Sequence, residues 1–293
     1  MSILIYWGYS LAWKIIRLLP EKRAYDLADR FADYLYAKNG RGVTRLRSNY
    51  MQINKRIEPV ELEFMTNQGV RSYLRYWCDT FRFPGWSRER ILETTAVTNE
   101  NFLRDPIAEK RGCIVALPHA GNWDHAGAYF CSSGIPLTTV AERLKPEKLF
   151  RKFLEYRTRM GMEVLSLDSR SMAVLSQRLR AGKLVALVAD RDLSKSGIPV
   201  NFFDAKASMP AGPALLAIST GADLITAYVK YTKSGIHIKF EESIAVPTHG
   251  TTGEKAAAMT QVIADRFAKN IAADPVDWHM LQRIWIDGEN KNE

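Results

Sequence analysis

The spacing of apolar positions changes character near residue 112. Before it, from about 21 to 100, they recur at helical intervals: AYDLADRFADYLYA sets Leu27, Phe31 and Leu35 on one face. After it, short continuous apolar runs alternate with helix-period stretches. CIVALP reads as a buried strand and is followed by a helix from Asn122. Then come LTTVA (strand), PEKLFRKFLEYRTRMG (helix), EVLSL (strand), SRSMAVLSQRLRAG (helix), KLVALVA (strand) and IPVNFF (strand). PAGPALLAISTG carries a helix with Pro at its start and Gly221 at its end. LITAYVKY and GIHIKFEE, joined by TKSG, predict an antiparallel pair, and a long helix over about 253–272 follows. Such alternation builds parallel strands with crossover helices. The expected fold class is α/β: a central, mostly parallel β-sheet flanked by α-helices, with a helical N-terminal part.

The first twenty residues, MSILIYWGYSLAWKIIRLLP, carry their charges late, at Lys14 and Arg17, with no cleavage-like site after them. They read neither as a signal peptide nor as a membrane span. On a helical wheel Ser10, Lys14, Arg17 and Glu21 form one stripe; Leu4, Trp7, Leu11, Ile15 and Leu18 form another face. Tyr6, Trp7, Tyr9 and Trp13 are residue types that favour a membrane interface. Two readings stand: a helix lying on a bilayer, or a core-packing helix ending at Pro20.

Charge extends this picture. The 293 residues carry a formal net charge of +9, which favours anionic partners. RGVTRLRSNYMQINKR holds five cations and no acid, and RSYLRYWCDTFRF interleaves Arg71, Arg75 and Arg82 with aromatics. Either these are solvated helix faces, or they form a rim for anionic headgroups. No nucleic-acid recognition motif accompanies the charge, so no nucleic-acid partner is expected. Three cysteines, Cys78, Cys113 and Cys131, show no paired or metal-like spacing. With no linker-like tract in the chain, a single domain over 1–293 is expected: a helical membrane-facing part over 1–100 and an α/β catalytic core over 101–293.

In open α/β sheets ligands gather at the carboxyl ends of the strands. His119 follows CIVALP, Glu142 follows LTTVA, and Asp190, Arg191 and Asp192 follow KLVALVA. Inside one helix His119 and Asp124 would lie about 140° apart. They can meet only if His119 is in the loop and Asp124 in the first helical turn, with Asn122 as N-cap. Asp124 could then accept from the imidazole, leaving the other ring nitrogen as a base. Backbone N–H groups near Gly121 are candidate oxyanion donors. Arg157 lies in a cationic helix, either on a solvated face paired as Glu155–Arg159 or as a phosphate anchor. G-x-S-x-G, G-x-x-x-x-G-K-[ST] and G-x-G-x-x-G are all absent. What remains is a histidine–carboxylate set without a protein nucleophile, which fits direct acyl transfer to a bound hydroxyl.

LPHAGNWDHAG resembles the H-x4-D block of the glycerolipid and lysophospholipid acyltransferase superfamily, in particular of the bacterial lipid A acyltransferases. Within that group the chain is most similar to the actinobacterial phosphatidylinositol mannoside acyltransferases. The blocks RLRSNYMQI, TTVAERLKPEKLFRKFLEYRTRMG, DRDLSKSGIPVNFFDAKASMPAGPALLAISTGA and DWHMLQRIWID carry the resemblance across most of the chain, in order. It implies transfer of a fatty acyl group, usually palmitoyl, from acyl-CoA as co-substrate. The acceptor implied is the 6-hydroxyl of the mannose on the inositol 2-position of phosphatidylinositol mannosides. The place implied is the cytoplasmic face of the plasma membrane, with the protein bound peripherally to phospholipid. No cofactor or metal is called for. The catalytic histidine maps to His119, the block's aspartate to Asp124, a further acid to Glu142 and an arginine to Arg157. The catalytic carboxylate before an Arg-Asp pair maps to Asp190, with Asp192 as the alternative. Arg157, Arg191, Asp192 and Asn122 are the candidate substrate-contacting positions.

Overall fold

A computed structural model describes residues 2–141, 147–168, 170–192 and 196–286. Four helices come first: α1 (Ser2–Leu18), α2 (Glu21–Lys38), α3 (Arg41–Ile53) and α4 (Pro59–Arg82). A short turn leads to α5 (Arg88–Glu93), β1 (Thr95–Thr98) and α6 (Asn101–Ala108). The alternating part is β2 (Cys113–Leu117), α7 (Trp123–Ser132), β3 (Leu137–Ala141), α8 (Glu147–Arg159), β4 (Glu163–Ser166), α9 (Ser171–Arg180) and β5 (Leu184–Val188). A hairpin of β6 (Ile198–Phe202) and β7 (Ala205–Met209), then α10 (Gly212–Thr220), β8 (Asp223–Tyr231), β9 (Ile236–Glu241) and α11 (Thr252–Ala273) follow.

Seven strands form one sheet in the order β1-β9-β8-β2-β5-β3-β4, parallel throughout except between β8 and β9. The α/β class read from the apolar pattern is the one observed. Alternation along β2 sends Ile114 and Ala116 to one face, against α9–α11 and α3, and Cys113, Val115 and Leu117 to the other, against α1 and α5–α8. Two apolar layers thus sandwich the sheet.

Two strands depart from expectation. β1 lies inside the stretch read as helical and pairs with β9 at the sheet edge; four residues are too few to set a period. β7 pairs antiparallel with β6 through Phe203 and Asp204, both at positive φ (49° and 55°). Two-residue hairpin loops need that conformation, usually from Asn-Gly or Asp-Gly, so Phe-Asp gave no turn signal.

The N-terminal helix packs along one edge and leaves an apolar stripe exposed. Trp13 and Ile16 pack inward, Trp13 against Phe81, Phe153 and Tyr156, while Leu11, Ile15 and Leu18 stay 60%, 43% and 73% exposed. The side chains of Leu4, Tyr6, Trp7, Tyr9 and Ser10 lie outside the described residues. Among the described residues no helix is long and apolar enough to cross a membrane. The arginines of RSYLRYWCDTFRF do not form a free rim. Arg71 pairs with Asp33, Arg75 lies over the Tyr231 ring and bonds the Thr232 carbonyl, and Arg82 bonds the carbonyls of Ile16 and Leu19. They tie α4 to its neighbours instead.

Candidate active site

Strands β2 and β5 run parallel with Leu117 beside Val188, and Ala189 N–H still donates to the Leu117 carbonyl at 2.9 Å. Two residues further, His119 and Asp190 leave the sheet side by side. His119 Nδ1 lies 2.6 Å from Asp190 Oδ1, and the His119 backbone N–H donates to Oδ2 at 3.0 Å. Trp278 Nε1–H donates to the same Oδ2 at 2.9 Å. Burial alone would raise the Asp190 carboxyl, but the His119 charge and the hydrogen bonds from His119 and Trp278 hold it below the ordinary range. An ionised carboxylate only accepts, so Nδ1 carries a proton, and in the neutral ring Nε2 is left as the acceptor. Asp190 is fully buried and the His119 side chain 24% exposed, at the floor of a cleft of about 310 Å³.

A C-terminal strap locks this corner. His279 N–H donates to the His119 carbonyl (2.8 Å), Gly121 N–H to the Asp277 carbonyl (2.9 Å), and Ala120 bridges Trp278. Gly121 has φ 56°, and a Cβ there would fall 2.6 Å from the Val229 carbonyl oxygen, so the turn needs glycine. Its N–H is already used, which removes it as an oxyanion donor. Asp277 accepts from Ser72 Oγ (2.5 Å) and from Tyr231 N–H (2.6 Å), and His279 Nε2 lies 2.9 Å from Ser72 Oγ. Burial, then the His119 charge, lowers His279 to about 3; it is a neutral packing residue beneath Tyr73, Tyr76 and Trp123.

Asp124 makes a separate corner. It sits in the first turn of α7, where Asn122 caps the helix by accepting from His125 N–H at 2.9 Å. Its carboxylate does not accept from the imidazole. Arg157 donates to it twice, through Nε (2.8 Å) and Nη2 (3.2 Å), and the Tyr76 hydroxyl donates at 3.0 Å. Desolvation would lower Arg157, but Asp124 and Tyr76 outweigh it and raise it further. Arg157 is therefore turned inward as half of a buried pair, not extended as a phosphate anchor on a solvated face. The i,i+4 pair of α8 among the described residues is Glu147–Arg151 rather than Glu155–Arg159.

The remaining candidates separate. Arg191 lines the cleft beside His119. Asp192 bonds through its backbone N–H to the Ser208 carbonyl at 2.8 Å, and its side chain lies against Gly197. Asn122 is wholly buried and bonds the buried Asp79, so it does not face the cleft as a substrate contact would. Glu142 lies outside the described residues. Sequence reasoning overlooked Trp278 and Tyr76, which bind the two carboxylates. The one signal for Trp278 in the sequence is the place of DWHMLQRIWID among the resembling blocks.

The model of the bacterial lipid A biosynthesis acyltransferase family matches residues 1–286. A phosphatidylinositol mannoside acyltransferase of Mycolicibacterium smegmatis is 40% identical over 282 residues, covering 95% of this chain and 90% of the relative. One of Mycobacterium tuberculosis is 38% identical over 285 residues, covering 96% and 88%.

Proposed function

Because the chain belongs to the bacterial lipid A biosynthesis acyltransferase family, we propose that it transfers a fatty acyl group, palmitoyl foremost, from acyl-CoA to phosphatidylinositol mannosides. The acceptor atom is the 6-hydroxyl of the mannose on the inositol 2-position, and the enzyme works as a peripheral protein at the cytoplasmic face of the plasma membrane. The relatives' names support the acceptor class. The observation that carries the chemistry is the His119–Asp190 pair at the carboxyl edge of the sheet, Nδ1 engaged and Nε2 at the cleft.

His119 Nε2 takes the proton of the sugar hydroxyl as its oxygen attacks the thioester carbonyl. Asp190 stabilises the imidazolium, as the aspartate does in a serine triad, here without the serine. The tetrahedral oxyanion collapses, the C–S bond breaks, and the thiolate of CoA recovers the proton from the imidazolium. Arg157 and Arg191 are the cations that line the cleft and the candidate oxyanion stabilisers. The acyl chain runs past Trp123 and Val188 into a narrow apolar slot under α7, walled by Leu117, Ala126 and Ala186. KLVALVA lines that slot, whereas IPVNFF and most of PAGPALLAISTG pack in the opposite layer.

The test is lipid mass spectrometry after incubation with palmitoyl-CoA and a panel of acceptors that includes a lipid A-type glucosamine lipid. A monoacylated phosphatidylinositol mannoside should appear with wild type. With His119→Ala it should fall by roughly 10²–10⁴ while the circular-dichroism spectrum stays unchanged. Near-normal product from that variant would sink the assignment.

A further inference from the structure

A second cavity, of about 460 Å³, lies on the far side of α8 from the cleft, and none of the residues lining the one lines the other. Its rim carries four cations, Arg17, Arg88, Lys152 and Arg159, against one acid, Glu155. Its wall is aromatic: Trp13, Phe83, Trp86 and Tyr156. Lys152 Nζ sits 4.4 Å from the centre of the Trp13 ring. Arg88 donates through its Nε to the Ser132 carbonyl at 2.7 Å. The indole N–H of Trp86 and the hydroxyl of Tyr156 are buried in that wall without a partner among the described residues. A concave site with cations outside and aromatic surface inside suits an amphiphile with an anionic head.

Helix α1 states where such a molecule comes from. At 100° per residue, the packed edge is Trp13 and Ile16. Turning away from it one meets Arg17 at the cavity, then the exposed Lys14, then the exposed apolar stripe of Leu18, Leu11 and Ile15. If that stripe dips into the acyl region of a bilayer, the cavity mouth stands at the depth of the phosphates. We propose that the cavity between α1, α5 and α8 holds the headgroup of one anionic membrane phospholipid, its phosphate among Arg17, Arg88 and Arg159 and its glycerol end against Trp86. The site is separate from the acyl-transfer cleft, so it stands or falls independently of the reaction proposed above.

The experiment compares full-length wild type with R88E/R159E. A charge-matched control, K206E/K269E, alters two exposed lysines in the layer on the other face of the sheet. Co-sedimentation is measured with vesicles of phosphatidylcholine alone and of phosphatidylcholine mixed with phosphatidylglycerol. A monomeric short-chain phosphatidylglycerol is then titrated in solution, with inorganic phosphate and with CoA as competitors. The cavity variant should lose about tenfold or more of its preference for anionic vesicles, the control should keep most of it, and binding to neutral vesicles should change in neither. The short-chain lipid should bind wild type saturably and the cavity variant not. Equal losses in variant and control would show bulk charge alone and overturn the site. So would absence of saturable binding, or displacement of the lipid by phosphate or CoA at comparable concentration.

Discussion

Asp190 and Asp124 stand behind two residues that line one cleft, His119 and Arg157, and are almost equally buried, 0% and 3% exposed. Neither can stay charged there without donors, and they recruit opposite kinds. Asp190 takes the imidazole N–H, a backbone N–H and an indole N–H. Asp124 takes a guanidinium and a phenol. One carboxylate is aimed at a ring that can still exchange a proton; the other is neutralised by a cation that cannot. The partner five residues away in sequence lost to the one 71 residues away, because parallel register fixes neighbours more firmly than a flexible turn does.

The sharpest way to break this contrast is to change each carboxylate to its amide. Asp190→Asn should lower kcat by about 10³–10⁴, the loss seen when a triad aspartate can no longer fix the tautomer, with modest change in stability. Asp124→Asn should act mainly on stability. Equal losses of turnover, with both proteins equally stable to urea, would erase the distinction.

Next in size is the buried ion pair. Arg157→Met leaves Asp124 charged and unmatched, which should cost about 3–5 kcal/mol in urea unfolding. Replacing both, as Arg157→Met with Asp124→Leu, should recover most of it. If the single variant unfolds like wild type, the pair is not what holds α8 to α7.

A pH series separates the corners further. Burial lowers His279 to about 3 and His125 to about 4. The unfolded chain protonates both near pH 6.5, where the folded chain does not. Stability should therefore be complete above that point and fall as pH drops towards 4, by up to roughly 2.7 kcal/mol per unit for two protons. His279 belongs to the strap behind Asp190, whereas Arg157 stays charged throughout. His279→Asn should thus flatten the slope by about half, read from urea midpoints at pH 7, 6 and 5.

These cases also mark how far the chain can be read unfolded. The residues after CIVALP and KLVALVA could be read as candidates because parallel strands end at one edge, and the register of β2 and β5, neighbours in the sheet, then places His119 against Asp190. The choice between Asp190 and Asp124 was not legible, since it turns on where Arg157 and Tyr76 point, and α4 contributes Tyr76 from another part of the chain. Arg157 read as a solvated or phosphate-facing cation because a helix wheel cannot see α7 packed across it. The hairpin β6–β7 hid behind an atypical Phe-Asp turn, and β1 behind its brevity.

The smallest expected effect tests the finest feature, the indole behind Asp190. Trp278 is fully buried and gives one N–H to Asp190 Oδ2. Trp278→Phe keeps an aromatic ring against Phe202 and Phe203 but removes that donor, at a cost near 1–3 kcal/mol. Asp190 retains both N–H groups of His119, so the base survives and kcat should drop only about tenfold. With one donor gone the carboxylate is less well held, so the acid limb of the kcat/KM profile should move to higher pH. Tyr76→Phe is the matched change at the other corner: it takes one hydroxyl from Asp124, costs a similar amount of stability, and should leave the limb where it is. Stability loss alone would move neither limb, so a shift in the Trp278 variant and none in the Tyr76 variant reports orientation of the imidazole. A shift in both would mean that the two carboxylates titrate as one site after all.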